Sequence, residues 1–223
     1  MENGVFCPTL MYRIPISPPN QLTLFRILLT PVFVYFLFSS DPVNKQIALG
    51  IFIFAAITDW YDGYVARRWG FITRWGKFLD PLADKVLTSA AFFSFVAICY
   101  AELWMVILIV IRDFAMTLLR AYAEFKNTPI NTSGFAKTKT FVQLVVIYLF
   151  LVNYIVRTSS EFNLHFGWIF DIIATPIIMY VLMMITTILT VWTGAVYIST
   201  NRIILKNLFL NESHGTDSER IAN

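Results

Sequence analysis

The chain has 223 residues, 57% of them hydrophobic and only 14% charged, with a formal net charge of +3 and a mean hydropathy of +0.66. Soluble domains are usually about 45–50% apolar and about a quarter charged, so this composition excludes an ordinary soluble enzyme and gives nucleic acid no place among the partners. Its apolar residues come in long uninterrupted runs, and a helix of about 20 residues crosses the hydrocarbon layer.

In chain order, the first segment, "MENGVFCPTLMYRIPISPPNQLTLFRILL", lacks a basic region followed directly by an apolar one, the mark of a cleavable signal peptide. The stretch near 5–14 admits a short interfacial helix. Pro15, Pro18 and Pro19 break the approach to the first span, and Asn20 suits its cap. Six spans follow, roughly 22–40, 46–68, 78–100, 103–124, 136–156 and 171–199. In the first, Pro31 predicts a kink; the last is long enough to tilt, or to kink near Pro176. Cys7 and Cys99 are isolated, the latter within the third span, and imply no disulfide framework or zinc site. After Leu210 the tail "NESHGTDSERIAN" is polar and expected to be disordered. The expected fold class is an all-α integral membrane protein of six transmembrane helices, one domain over 1–210 with a tail over 211–223.

Basic residues set its orientation. Arg67, Arg68, Arg74 and Lys77 lie between spans two and three; Arg120, Lys126, Lys137 and Lys139 surround the turn between four and five. The opposite side offers only Lys45 and Arg157. Lys and Arg favour cytoplasmic loops, which places both termini and both basic loops in the cytoplasm and the chain in the cytoplasmic (inner) membrane.

One stretch, "ITDWYDGYVARRWGFITRWGKFLDPLADKV" from Ile57 to Val86, sets Asp59, Asp62, Asp80 and Asp84 beside these apolar runs. An ionised carboxylate at membrane depth is costly unless paired, hydrated or bound to a cation. Asp59 and Asp62 are three apart and Asp80 and Asp84 four apart, so each pair shares a helix face. With a hairpin closing between Trp69 and Trp75, the pairs fall at matching depth, roughly 8–15 Å from the cytoplasmic tips at 1.5 Å per residue. Four converging carboxylates repel one another unless hard cations sit between them. The cluster therefore predicts Mg²⁺ or Mn²⁺, with two ions able to clamp the attacking and leaving oxygens of a phosphoryl displacement. Gly63 and Ala66 lie on the Asp59 face, Gly76 one turn before Asp80, and Arg67 offers a fork for phosphate.

Written as a pattern, Asp59 to Asp84 is D-x2-D-G-x2-A-R-x8-G-x3-D-x3-D. This resembles the signature of the CDP-alcohol phosphotransferases at every fixed position: Asp59, Asp62, Gly63, Ala66, Arg67, Gly76, Asp80 and Asp84. The resemblance implies that family's fold, a homodimer, and displacement of CMP from a CDP-linked lipid, usually CDP-diacylglycerol, by an alcohol attacking the β-phosphorus. Carried over by position, Asp59, Asp62 and Asp80 would hold the metals, with Asp84 a further ligand and the general base. Gly63, Ala66 and Arg67 would face the CDP moiety, with Gly76 giving the ligand close approach.

The acceptor lies outside that signature. Arg112, Arg120, Lys137 and Lys139 are candidates for an anion pocket, and Asn20, Thr23 and Arg26 enter from the same side to border the nucleotide or acceptor. For Arg112 the alternative is an ion pair with Asp113 or a signature aspartate; for the lysines it is topology alone; for Asn20 and Arg26, a helix cap and a snorkelling side chain. The stretches "PNQLTLFRILLTP" and "IRDFAMTLLRAYAEFKNTPINTSGFAKTKTFVQ" resemble the phosphatidylglycerophosphate synthases within the family, although Asp113 stands where Glu is expected. That implies glycerol 3-phosphate as acceptor. A phosphatidylinositol-phosphate synthase, a cardiolipin synthase of the same family and a divalent-cation transporter stay open as alternatives. His165 and His214 fall on the opposite face and in the tail, away from this chemistry.

Overall fold

A computed structural model describes the backbone of residues 18–69, 74–126, 134–159, 168, 170–202 and 204, with side chains for 24–58, 81–123, 126, 138–159, 168, 170–202 and 204. The interfacial helix expected near 5–14, both histidines and the tail lie outside the described residues. Six long helices account for most of the rest: α1 (Pro18–Leu37), α2 (Pro42–Trp69), α3 (Arg74–Ala97), α4 (Leu103–Phe125), α5 (Gly134–Thr158) and α6 (Pro176–Thr200). No strand occurs among the described residues.

The helix ends follow from local chemistry. Asp41 opens α2: its Oδ1 accepts the Val43 N–H at 2.9 Å, and Pro42 takes the first helical position, where a missing donor does no harm. At the end of α3 the chain passes through Cys99, whose φ is +61°. There the Cys99 N–H donates to the Val96 carbonyl at 3.0 Å and the Tyr100 N–H to that of Phe95 at 2.8 Å. These two bonds form a Schellman closure in which Cys99 holds the left-handed position that glycine usually takes. Cys99 thus sits in the turn after α3, exposed, rather than inside a span as its place in the apolar run suggested. Because a Cβ in that conformation costs roughly 1–2 kcal/mol, Cys99→Gly should raise stability by up to about 1 kcal/mol, read as a higher unfolding midpoint in detergent.

Pro31 lies within a continuous α1, and Pro176 starts α6 instead of bending a longer helix. The residue before a proline is pushed out of the helical region; Thr175 is extended, with φ −57° and ψ 127°. The expected last span therefore breaks here, with a short helical turn over 170–173 on the other side.

Phenylalanines fill the interior. Phe33 meets Phe52 with ring centres 5.4 Å apart and Phe95 meets Phe150 at 5.3 Å, all four fully buried. Each such ring removes much apolar area from water or lipid, and tilted or edge-on contacts suit its quadrupole. Helix α1 packs against α2 and α3, α3 against α4, and α6 against α4 and α5. Large apolar side chains also point outward, among them Phe141, Ile177, Ile188 and Trp192, as a surface in contact with lipid requires. Among the described helices, Thr138–Thr158 and Pro176–Thr200 are long and apolar enough to cross a bilayer, with shorter apolar stretches at Leu24–Leu37 and Pro42–Thr58. Charges interrupt the others: Asp84 and Lys85 in α3, and Arg112, Asp113 and Arg120 in α4.

The two basic residues assigned to the opposite side, Lys45 and Arg157, both lie by the C-terminal end of α5. Lys45 lies over the Tyr154 ring at 4.9 Å, and Arg157 pairs with Asp171 at 3.5 Å. Between them, fully buried Asn153 donates to the Phe170 carbonyl at 2.7 Å and accepts from the Tyr100 hydroxyl at 3.3 Å.

Candidate active site

Helices α2 and α3 have the expected facing ends. Helix α2 runs to Trp69 and α3 starts at Arg74, so Asp59 and Asp62 fall in the last turns of one helix and Asp80 and Asp84 in the first turns of the next. Gly63, Ala66 and Arg67 are on the backbone of α2 and Gly76 on that of α3. The side chains of 59–80 lie outside the described residues, and with them those of Asp59, Asp62 and Asp80. Pro81 sits inside α3 between the two acids, where it withholds one N–H from the helix ladder.

Asp84 is the signature acid whose side chain is described. Its carboxylate is one-third exposed, and Oδ2 accepts from the Lys85 ammonium at 3.0 Å. Lys85 lies within electrostatic reach of both Asp113 and Arg112. Sequence reasoning passed over it, although its place one residue after Asp84 was a usable signal.

A second charged group, deeper and better satisfied, joins α4, α5 and α6. Asp113 and Lys139 are each 3% exposed at the side chain, and the Lys139 ammonium reaches both carboxylate oxygens, at 2.5 and 2.6 Å. Arg112 adds a third arm: Nη1 donates to Asp113 Oδ1 at 3.1 Å, while Nη2 donates to Thr193 Oγ1 on α6 at 2.9 Å. Its Nε is buried with no hydrogen-bond partner among the described atoms. One turn along α5 from Lys139, the Gln143 side-chain oxygen is likewise buried without one. An unmet polar atom in a dry interior is expensive, so these two mark a polar spot inside the bundle between α4 and α5.

The structure thus brings Arg112 and Lys139 together around Asp113, an acid the sequence offered only as an alternative partner for Arg112. Arg120 is exposed on α4 two turns beyond. Arg26 is 2% exposed, with Thr30 Oγ1 donating to its backbone carbonyl at 3.0 Å; it is enclosed by the bundle and does not snorkel. Asn20, Thr23 and Lys137 lie on helical backbone, their side chains outside the described residues. Thr193 drew no attention in the sequence. Threonine reads as nearly apolar there, and its partner is 81 positions away.

The arrangement sets an acid able to take a proton, Asp84, near a largely buried group of two cations and one acid. That combination suits an alcohol carrying an anion.

Residues 16–192 match the family model described as CDP-alcohol phosphatidyltransferase. The chain is similar to a Bacillus subtilis protein named CDP-diacylglycerol–glycerol-3-phosphate 3-phosphatidyltransferase, with 38% identity over 147 residues, 60% of this chain and 76% of the relative. A Rickettsia bellii protein of the same name is 31% identical over 179 residues, covering 80% of this chain and 92% of its own. One from Salmonella typhimurium, again of that name, is 39% identical over 134 residues, 58% and 73% of the two chains.

Proposed function

This chain belongs to the CDP-alcohol phosphatidyltransferase family, and we propose that it transfers the phosphatidyl group of CDP-diacylglycerol to sn-glycerol 3-phosphate, giving phosphatidylglycerophosphate and CMP. The observation that carries the acceptor is the similarity, over most of the chain, to relatives whose names specify that alcohol. A buried Arg112–Asp113–Lys139 cluster beside the signature helices agrees with it, because an acceptor bearing a phosphate needs cationic donors. All six helices span the cytoplasmic membrane, both termini and the site face the cytoplasm, and the protein works as a homodimer.

In the reaction a hydroxyl oxygen of glycerol 3-phosphate forms a bond to the β-phosphorus while the bond to the CMP oxygen breaks. The hydroxyl proton passes to the Asp84 carboxylate, the general base, and CMP leaves with the displaced electron pair. Lys85, 3.0 Å from Asp84, fixes the rotamer of that carboxylate. Arg112 binds the acceptor phosphate and Lys139 holds Asp113 against it, with Arg120 and Lys137 nearer the cytoplasm. Asn20, Thr23 and Arg26 border the nucleotide, which Gly63, Ala66, Arg67 and Gly76 admit closely. The acid set Asp59, Asp62, Asp80 and Asp84 offers hard oxygen donors only, which fit Mg²⁺ or Mn²⁺. Such ions, two in this reading, would supply charge neutralisation at the pyrophosphate.

The test offers the purified protein CDP-diacylglycerol and Mg²⁺ with glycerol 3-phosphate, inositol phosphate, serine or phosphatidylglycerol in turn, and measures CMP. Release with glycerol 3-phosphate alone is expected; release with another alcohol instead overturns the acceptor assignment. In the same assay Arg112→Ala should raise KM for glycerol 3-phosphate about 10- to 100-fold, the worth of a hydrogen bond to a charged group, and KM for CDP-diacylglycerol far less. An unchanged acceptor KM would make Arg112 a purely structural ion-pair partner.

A further inference from the structure

The last helix contributes to the site although it carries no charged residue between Pro176 and Thr200. Its contribution is one oxygen and one absence. Thr193 Oγ1 accepts from Arg112 Nη2 at 2.9 Å, while the threonine hydroxyl itself donates back to the Leu189 carbonyl at 2.7 Å or that of Thr190 at 3.0 Å. With its proton committed to the backbone, the hydroxyl oxygen is set as an acceptor for the guanidinium. The next residue is Gly194, and a Cβ placed there would lie 3.2 Å from both Cγ and Nε of Arg112. So close an approach means that the stem of Arg112 lies across the bare backbone of α6.

The neighbouring threonines set this pair apart. Thr186, Thr187 and Thr190 also donate to carbonyls one turn back and are buried. Thr193 is the one among them with a described bond to a charged side chain. Two of the three guanidinium nitrogens are thereby fixed, Nη1 by Asp113 and Nη2 by Thr193, while Nε lies buried beside the Gly194 backbone with no hydrogen-bond partner among the described atoms. A planar fork held at two corners has little freedom at the third.

We infer that Thr193 and Gly194 are positioning residues: through the Thr193 oxygen and the space at Gly194, α6 fixes the guanidinium of Arg112, whose side chain keeps 18% of its surface exposed, in the pose that meets the acceptor phosphate, and so sets the affinity for it. This rests on the reading of Arg112 as the acceptor-phosphate residue. The expected consequence is selective for one substrate.

The experiment measures KM and kcat for both substrates, and the unfolding midpoint in detergent, in Thr193→Val, Thr193→Ser, Gly194→Ala and Arg112→Ala, with Thr193→Val also placed in the Arg112→Ala background. Thr193→Val, which keeps shape and removes the oxygen, should raise KM for glycerol 3-phosphate about tenfold and leave KM for CDP-diacylglycerol within about twofold. Thr193→Ser should restore the acceptor KM, and Gly194→Ala should raise it several-fold. In the Arg112→Ala background, Thr193→Val should add nothing further, since residues acting through one group are not additive. An unchanged acceptor KM in Thr193→Val and Gly194→Ala overturns the inference while the proposed activity stands. A parallel rise in both KM values with a lowered midpoint also overturns it, because that is the pattern of simple misfolding. Failure of the unaltered enzyme to release CMP with glycerol 3-phosphate overturns the proposed function, and this inference falls with it.

Discussion

Replacing Asp84 with asparagine should lower CMP release about 10²–10⁴-fold, the usual range for a positioned acid or base, while CDP-diacylglycerol still binds. Asparagine keeps the size of the side chain and an oxygen that can accept from Lys85, so the contact at 3.0 Å has a neutral replacement. What it cannot do is take the proton of the attacking hydroxyl. Asp84 is one-third exposed, open enough to meet a substrate arriving from water and enclosed enough to be oriented. The measurement needs both arms: CMP release at saturating acceptor, and retention of labelled CDP-diacylglycerol by the purified variant. Near-normal turnover would remove Asp84 from the base role. Loss of lipid binding in step with turnover would make it one more cation ligand whose removal empties the nucleotide site.

The parts of this picture legible in the sequence are those carried by local spacing. Apolar runs and their polar breaks gave helix limits within a few residues, with α2 ending at Trp69 and α3 starting at Arg74 close to the expected Trp69 and Trp75. Pro176 was harder, because whether a proline bends a helix or begins one depends on the residue before it. Pro31 sits within a continuous helix, whereas Pro176 begins one. Cys99 was misplaced because an apolar residue in an apolar run looks like span, and its positive φ has no local signature unless glycine supplies it. The charged cluster shows a different limit. Arg112 and Lys139 were visible as candidates for an anion pocket, and Asp113 as a partner for its neighbour Arg112, but the reach of Lys139 from α5 to Asp113 and of Arg112 to the hydroxyl of Thr193 on α6 joins separate helices. Which helix faces reach each other is decided by tertiary packing, of which a single sequence carries no direct trace.

That cluster leads to the largest expected loss of stability. Asp113 and Lys139 are almost wholly enclosed, and both carboxylate oxygens are taken by the ammonium, with Arg112 on one of them. Removing one member of a buried ion pair strands the other without water, typically at a cost of about 3–5 kcal/mol. Asp113→Ala strands two cations at once. Its unfolding midpoint in detergent should therefore fall on the order of 10 °C, at about 2–4 °C per kcal/mol for a chain this long. A second change separates the charge from the contact. Lys139→Met in the Asp113→Ala background removes the stranded ammonium and should recover most of the lost midpoint, because an apolar replacement of a buried pair is often close to neutral. Recovery of stability without recovery of the acceptor KM is the outcome expected if Asp113 also steadies Arg112, whose Nη1 it accepts at 3.1 Å. Recovery of both would leave the aim of the guanidinium to Thr193 and Gly194. An Asp113→Ala protein that unfolds at the same temperature as the unaltered chain would mean that water reaches the pair, and the cluster would then lose its standing as a dry, pre-set anchor for the arginine.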